Sequence, residues 1–323
     1  MAVGSLKVGI VVLNWNTYDE TRECLLSLRQ ATYPNREVIL VDNASADGSG
    51  HQLHLDFPEC SFIANPTNLG FARGANVGIR YALARGSDYI LLLNSDSLVE
   101  PGFLEPAVEL AERHATVGLV SGKIYLKDRP GYLWYAGGHV SVIRGQVKVF
   151  GWHERDDGRF DRVREIGFAT GALLLIKRVV LERVGLLPEE YFFGTEEWDY
   201  SVTVRRAGYR LYYVPQFVTY HRSDGSHRNL EAKYLYNGYR NRLIFQEKFL
   251  PAPAFHIWKS AFVIYHKYLA RKRLAHLGDT VYRDSWRALQ AAIRDHDRAK
   301  PHIVTEQALV DFERDLADDY ASD

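Results

Sequence analysis

The sequence predicts an α/β fold, a mostly parallel central sheet flanked by helices and followed by a C-terminal helical appendix. Three observations carry this reading. Short apolar runs at Val8–Leu13, Val38–Val41, Phe62–Ala64, Tyr89–Leu93 and Val117–Val120 alternate with polar-apolar segments long enough for helices, which is the rhythm of βαβ units. The run Tyr89-Ile90-Leu91-Leu92-Leu93 ends abruptly in Asn94-Ser95-Asp96, as a strand buried on both faces does at its carboxyl end. From about Glu231 onward the patterns are helical.

In chain order, Thr17-x-x-Glu20 has the form of a capping box opening the first helix, and Ser45 to Asp47 offer caps for the second. Residues 124–165 break the rhythm with Trp134, Tyr135, Gly137, Gly138 and Trp152. Within them the alternating Val140–Phe150 reads as a hairpin, in an insertion lying over the sheet's edge. An amphipathic helix follows Glu196–Asp199 and ends at Gly208, and Gln216–Thr219 reads as a strand leading into Tyr220-His221-Arg222. Ala252–Leu269 is interrupted by His256, Lys259, His266 and Lys267, so it does not span a bilayer. Its Phe255, Trp258, Phe262, Val263, Tyr265 and Leu269 fall near helical spacing before Arg271, Lys272 and Arg273. That pattern suits an anionic membrane surface, and equally a helix packed on its own protein or on a second copy, with a solvated basic end.

Composition narrows the function classes. The 323 residues, 46% hydrophobic, can bury one large core or two modest ones. The 40 basic and 40 acidic residues cancel, so no global field points to a nucleic-acid partner. Cys24 and Cys60 lack metal-ligand spacing and form no disulfide framework, which favours a reducing compartment and a packing role. Residues 1–5 carry no signal-peptide pattern, so the expected location is the cytoplasm, peripheral on the inner face of the plasma membrane if the aromatic segment docks there.

The standard nucleotide fingerprints fail. Gly48-Ser49-Gly50 lacks the third glycine of the dinucleotide motif, where Leu53 stands. Gly118-x-x-x-Gly122-Lys123 is one residue short of a phosphate loop and continues with Ile124. Asp96, just past a buried strand, suits a hard divalent cation and its phosphates, although Asn94, Ser95 and Asp96 are also good helix caps before Pro101. Asp42 and Asn43 end the second strand and can hydrogen-bond a base edge or ribose, or form an Asx turn. In Glu196-Glu197-Trp198-Asp199 an acid can simply complement the dipole of the helix that follows, and crowded acids also raise one another's pKa, which helps a carboxylate act as general base towards a sugar hydroxyl. His221 at a strand end is a candidate second metal ligand or a surface residue. Trp134 and Trp198 are also suited to anchor an aromatic-rich core.

Several segments in order carry a family resemblance: Val11-Val12-Leu13-Asn14-Trp15-Asn16, Val41-Asp42-Asn43-Ala44-Ser45-x-Asp47-Gly48-Ser49, Asn68-Leu69-Gly70-Phe71-Ala72-Arg73-Gly74-Ala75-Asn76 and Leu93-Asn94-Ser95-Asp96. Gly171-Ala172-Leu173-Leu174-Leu175-Ile176, the box Glu196–Asp199 with Arg205-Arg206-Ala207-Gly208-Tyr209, His221 and Tyr239-Arg240-Asn241-Arg242 continue it over roughly residues 7–250. Together they resemble the family 2 glycosyltransferases, in particular the rhamnosyltransferase-like branch.

The resemblance implies a GT-A fold over residues 1–250, with a nucleotide-sugar half (1–123), an acceptor and catalytic half (124–250), and a helical region at 251–323. It implies inverting transfer from a nucleotide-sugar of the dTDP-rhamnose or UDP-hexose type to a saccharide or lipid-linked saccharide acceptor in cell-surface glycan synthesis. By position, Asn14, Asn16, Asp42, Asn43, Asn68, Arg73, Asn76, Asn94 and Ser95 would bind nucleotide, and Asp96 and His221 would hold Mg2+ or Mn2+. Glu197 or its neighbour Glu196 would be the base; Gly171, Trp198, Asp199 and Trp134 would line the sugar sites. Three departures stand out. Asn94 replaces the first Asp of the family's Asp-x-Asp motif; Ala75 replaces an Arg, shifting diphosphate contact to Arg73, Arg240 or Arg242; Glu197 replaces Asp. The rival expectations are a sugar nucleotidyltransferase and a catalytically silent carbohydrate-binding protein of the same fold.

Overall fold

A computed structural model of the chain describes residues 5–222, 231–269, 279–298 and 302–322, in two compact units. The first unit comprises residues 1–140, 147–188 and 197–223; the second comprises 141–146, 189–196 and 224–323.

In the first unit, β1 (Val8–Asn14), α1 (Tyr18–Arg29), β2 (Arg36–Asp42), α2 (Ser49–Asp56), β3 (Ser61–Ala64), α3 (Gly70–Ala84) and β4 (Tyr89–Asn94) follow one another, and the four strands are parallel in the order β3-β2-β1-β4. The chain builds outward from β1 on one side and returns to lay β4 on the other. The carboxyl ends of β1 and β4 therefore flank a topological switch point, where open α/β sheets bind ligands. The chain continues through β5 (Ser97–Val99), α4 (Glu105–Arg113), β6 (Val117–Leu126), β7 (Leu133–Tyr135), β8 (Gly138–Ser141), β9 (Gln146–Val149), β10 (Arg164–Ile166), β11 (Leu173–Lys177), α5 (Arg178–Val184), α6 (Glu196–Arg206) and β12 (Arg210–His221). Beyond β4 the sheet runs β11, β6, β12, β10, with β11 antiparallel to both neighbours and β12 parallel to β6. The hairpin expected at Val140–Phe150 forms as β8 and β9, and β10 makes the sheet's edge.

Helix α3 shows why its glycines recur. A methyl on Gly78 would lie 2.5 Å from Val11 Cγ1, and one on Gly74 would lie 2.9 Å from Leu13 Cδ1, so the helix rests on β1 at a distance that a side chain would prevent. Asn76, fully buried between them, donates to Leu187 O at 2.9 Å and accepts from Leu187 N–H at 3.1 Å. Asn76→Ala should therefore lower stability by about 2–4 kcal/mol, from two lost buried hydrogen bonds and two stranded backbone groups. A lower urea midpoint at unchanged m-value is the readout.

Two local expectations are corrected. Thr17 occupies the N-cap of α1 but its hydroxyl makes no cap bond; it turns back to Asn14 Oδ1 at 3.1 Å. Asn94, Ser95 and Asp96 cap no helix, because β4 turns at Ser95 and Asp96 straight into β5, and the next helix begins only at Glu105.

The second unit is helical: α7 (Ala232–Phe249), α8 (Ala252–Ile264) running on into a π turn at Tyr265–Leu269, α9 (Asp279–Arg298) and α10 (Glu306–Ser322). Its core joins Tyr191, Tyr236, Tyr239, Leu243, Phe262, Leu289 and Phe312, so α7 belongs with the following helices instead of ending a domain at residue 250. Of the two expectations for the aromatic face, packing within the protein is the one the structure shows: Phe255 and Phe262 are buried, and Phe262 and Trp258 belong to or pack against this core. The large apolar residues exposed on α8 are instead Ile257 and Ile264, with Tyr268 in the π turn. Arg271, Lys272 and Arg273 lie outside the described residues. Among the described residues no helix is long and apolar enough to cross a membrane.

Candidate active site

Parallel register sets Asn14 beside Asp42 and Leu13 beside Asn94, so the ends of β2, β1 and β4 carry a polar row. Asn14 is wholly buried. Its Nδ2 lies 2.8 Å from Asp42 Oδ1, 3.0 Å from Ser45 Oγ and 2.9 Å from Ser49 Oγ, and its Oδ1 accepts from the hydroxyls of Thr17 and Thr21. Asp42 Oδ1 also accepts from Ser45 Oγ at 2.6 Å, while Oδ2 takes the Ser45 N–H at 3.1 Å. A methyl at Gly50 would lie 2.2 Å from Asp42 Cγ, so glycine is what lets the start of α2 close over this carboxylate. Asn16, exposed and at φ 53°, accepts from Ala46 N–H at 2.8 Å and thereby ties the β1 and β2 loops together.

Asn43 uses its whole amide in the frame. Its Nδ2 donates to Asn68 Oδ1 at 2.8 Å and Gly70 O at 3.1 Å, and its Oδ1 accepts from Asn65 Nδ2 and Leu69 N–H. It holds the loop that starts α3, and Asn76 is likewise committed to Leu187. Asn16, Asn68, Arg73, Asn94 and Ser95 are the anticipated nucleotide residues that retain exposure.

The second cluster follows from strand pairing. β5 runs antiparallel to β12 with Ser97 opposite His221, which brings the last residue of β12 against the turn carrying Asp96. His221 Nε2 lies 3.1 Å from Asp96 Oδ1 and 3.1 Å from Asn94 Nδ2. If Nε2 accepts from Asn94, two electron-rich atoms, Nε2 and Asp96 Oδ1, face each other and call for a positive charge between them. His221 Nδ1 is buried and has no hydrogen-bond partner among the described residues. A carboxylate and an imidazole converging in this way fit a divalent cation, and the mixed O and N set suits Mn2+ at least as well as Mg2+. Turning the Asn94 amide over would add a third donor, its oxygen. The Trp134 ring lies 4.7 Å from the His221 ring and 5.5 Å from that of Trp152.

Glu197, in the first turn of α6, points Oε2 at the Gly171 N–H, a short bond, and at Thr170 Oγ1, 3.3 Å away. Glycine at 171 leaves room for this approach: a methyl there would sit 3.1 Å from Glu197 Oε2 and 3.2 Å from Phe71 Cε1, so one of those side chains would have to give by a few tenths of an ångström. Desolvation raises the Glu197 pKa from the ordinary 4.5 to about 7, against the lowering effects of the Gly171 and Thr170 bonds and of nearby His221. Both side-chain bonds of Glu197 go to Oε2, and Oε1 carries no hydrogen bond among the described residues. Asp199 is buried and accepts from Thr203 Oγ1 at 3.0 Å, Glu196 is buried, and Trp198 is half-buried.

A family model described as glycosyl transferase family 2 matches residues 9–185, more than half of the chain. The chain belongs to glycosyl transferase family 2. The transferase is 24% identical over 255 residues to N-acetylglucosaminyl-diphospho-decaprenol L-rhamnosyltransferase of Mycobacterium tuberculosis, an alignment covering 73% of this chain and 82% of that protein. It is 21% identical over 189 residues to the dTDP-rhamnosyl transferase RfbF of Shigella flexneri, covering 58% and 60%. Its fold is similar to that of the Pyrobaculum calidifontis mannosyltransferase PcManGT in complex with GDP-Man and Mn2+, with TM-score 0.52, 19% identity and 91% and 88% coverage. Staphylococcus aureus TarS 1-349 is also similar, with TM-score 0.55, 15% identity and 98% and 89% coverage. The family match carries the transferase expectation over the nucleotidyltransferase one.

Arg240 and Arg242 of the transferase lie on α7. Arg240 is buried, donates to Tyr236 OH at 3.0 Å and sits 3.8 Å from Asp295; the Arg242 guanidinium lies 5.8 Å from the Phe262 ring centre. Their neighbour Asn241 has a role not foreseen in the sequence. With Asn237 it donates to Phe193 O, and it alone donates to Gly194 O at 2.6 Å, fixing the loop before the acidic box where Gly194 and Thr195 both adopt positive φ. Thr170, Ser45, Ser49 and Trp152 were also missed. Ser45 and Ser49 lie inside a segment already singled out, and Thr170 directly precedes Gly171.

Proposed function

We propose that this glycosyltransferase moves one sugar, of the dTDP-rhamnose or UDP-hexose donor type, to a saccharide or lipid-linked saccharide acceptor by single displacement with inversion. The observation that carries the reading is the juxtaposition, within the first unit, of the Asn94, Asp96 and His221 cluster with a recessed Glu197 whose charge His221 feels. The names of the Mycobacterium and Shigella relatives, both rhamnosyl transferases, support rhamnose, and the Mn2+ of the mannosyltransferase complex supports a divalent cation.

In this mechanism Asn14, Asn43 and Asn76 hold the frame, while Asp42, whose Oδ2 has room for another donor, and Asn16, Asn68, Arg73, Asn94 and Ser95 receive the nucleotide. Asp96 and His221 would hold Mg2+ or Mn2+, which when bound supplies Lewis-acid neutralisation of charge on the departing nucleoside diphosphate. Glu197 Oε1 takes the proton of the acceptor hydroxyl as that oxygen attacks the anomeric carbon. Gly171 and Thr170 keep the other oxygen fixed, so the base is preorganised. We assign the role to Glu197 over Glu196 because successive helical residues point about 100° apart, and Glu197 is the one aimed at Gly171. Trp134, against His221, would form an apolar wall for a sugar face.

A lipid-linked acceptor would be met at a membrane, where the exposed Ile257, Ile264 and Tyr268 give this chain an apolar stripe. One assay addresses donor and setting together. The protein is incubated with dTDP-rhamnose, UDP-glucose or UDP-N-acetylglucosamine, with Mn2+, and with a lipid-linked saccharide presented either in detergent or on anionic vesicles. Transfer from dTDP-rhamnose, faster on vesicles that co-sediment with the protein, is the expected result. Transfer only from a UDP-sugar would replace rhamnose, and absence of vesicle binding at both low and high salt would remove the membrane.

A further inference from the structure

The second unit contains a group of side chains that sugar transfer does not use. Glu247 near the end of α7, His296 near the end of α9 and His302 in the segment before α10 bring one carboxylate oxygen and two imidazole nitrogens within 4.8 Å of one another. His302 Nε2 lies 2.6 Å and His296 Nε2 3.3 Å from the same atom, Glu247 Oε2. The two rings stack with centroids 4.1 Å apart and planes 9° apart. The side chain of His296 is 97% buried, and among the described residues its Nε2, 3.3 Å from Glu247 Oε2, has no bond of hydrogen-bonding geometry.

A simple ion pair leaves this arrangement unsatisfied. One proton shared between Glu247 and His302 strands His296 Nε2, and two protonated rings stacked this closely would repel. Behind His296, Asp297 Oδ1 lies 3.4 Å from Nδ1 and is itself held by Lys259 at 2.6 Å. A carboxylate at Nδ1 directs the ring proton there and leaves the Nε2 lone pair facing Glu247, the outer-shell pattern found behind metal-bound histidines.

We propose that Glu247, His296 and His302 form a structural site for a divalent transition-metal ion of the Zn2+ class, clipping α7, α9 and the segment leading to α10 together. Two imidazoles and a carboxylate, with a fourth position for water, are a donor set that Zn2+ accepts, and nitrogen ligands disfavour Mg2+. The site is separate in residues from Asp96 and His221 and does not depend on the catalytic reading.

The test uses the full chain, purified without a histidine tag and carrying Asp96→Ala to silence the other candidate cation site. After loading with Zn2+ and exhaustive dialysis, elemental analysis should find one Zn2+ per chain. Substitution with Co2+ should give the visible d–d bands of a low-coordinate nitrogen and oxygen site. His302→Ala and Glu247→Gln in that background should each lose the metal and the rise in Tm that Zn2+ produces in the parent. His302→Cys, which supplies a thiolate in place of the imidazole, should retain metal even if His302→Ala folds poorly. A parent that holds no Zn2+ after dialysis, or folded His302→Ala and Glu247→Gln proteins that hold as much as the parent, would overturn the proposal.

Discussion

Glu197→Gln should cut turnover by roughly 10²–10⁴-fold, the usual contribution of general acid–base catalysis, while leaving donor affinity near that of the unaltered enzyme. The amide keeps an oxygen for the Gly171 N–H and Thr170 hydroxyl but has no basic lone pair to offer at the position of Oε1. The same variant should be more stable than its parent at alkaline pH. Because the folded pKa, about 7, stands above the ordinary 4.5, the folded state holds the proton more tightly than the unfolded chain. The contribution to stability is therefore fully present below pH 4.5, is lost as pH rises towards 7, and stays lost above it. The substitution removes that loss, a gain of about 2 kcal/mol at pH 8 after allowance for the partial exposure of the side chain, and no gain at pH 4. Urea unfolding at the two pH values reads this directly. In the unaltered enzyme kcat/KM should fall tenfold per unit as pH drops below about 7, since the base must be deprotonated. If Glu196→Gln shows the loss of turnover and Glu197→Gln does not, the base is one residue earlier; if neither does, the mechanism is wrong.

The reach of the sequence can be judged from particular residues. The strands were legible because Val8–Leu13 and Tyr89–Leu93 are uninterrupted apolar runs, and in a doubly covered parallel sheet little else produces them. Asp96 and His221 were named together as ligands of one metal, but the pairing that joins them was not legible. It depends on Ser97 pairing with His221 across more than a hundred residues of chain, through a three-residue strand too short to leave a pattern. Asn43 and Asn76 show a different limit. Their position pointed to a ligand, yet an asparagine that serves backbone groups reads the same as one that serves a nucleotide until its partners are seen. The aromatic spacing of Ala252–Leu269 correctly marked a helix with an apolar face. That face is covered by the core it shares with α7 and α9, because periodicity reports a buried side without naming what buries it. Arg240 became an interior partner of Tyr236 and Asp295 for the same reason: a guanidinium in a motif carries no sign of which acid it will find.

Asp96→Ala should abolish the metal-dependent part of nucleotide binding and lower turnover by roughly 10³-fold or more, because Lewis-acid stabilisation is worth several kcal/mol and each 1.36 kcal/mol is a factor of ten. In the unaltered protein, a nucleoside diphosphate with Mn2+ at 100 times its dissociation constant should stabilise the fold by about 2.7 kcal/mol, and the variant should lose that stabilisation. Without nucleotide or metal the two proteins should differ little, since the Asp96 side chain keeps 30% exposure and its contact with His221 is screened by water. That contrast separates a ligand-binding role from a structural one. Asn94→Ala should weaken nucleotide binding more mildly, as its amide contributes one hydrogen bond at His221 in place of a charge. Asn94→Asp would add a second carboxylate beside Asp96 and should tighten the metal, visible as nucleotide stabilisation at lower Mn2+ concentration. His221→Ala should resemble Asp96→Ala in its metal requirement, with the preference moving from Mn2+ towards Mg2+ as the only nitrogen donor of the cluster is removed. Turnover that persists undiminished in EDTA would end the metal assignment and leave His221 to hold Asp96 by a proton alone.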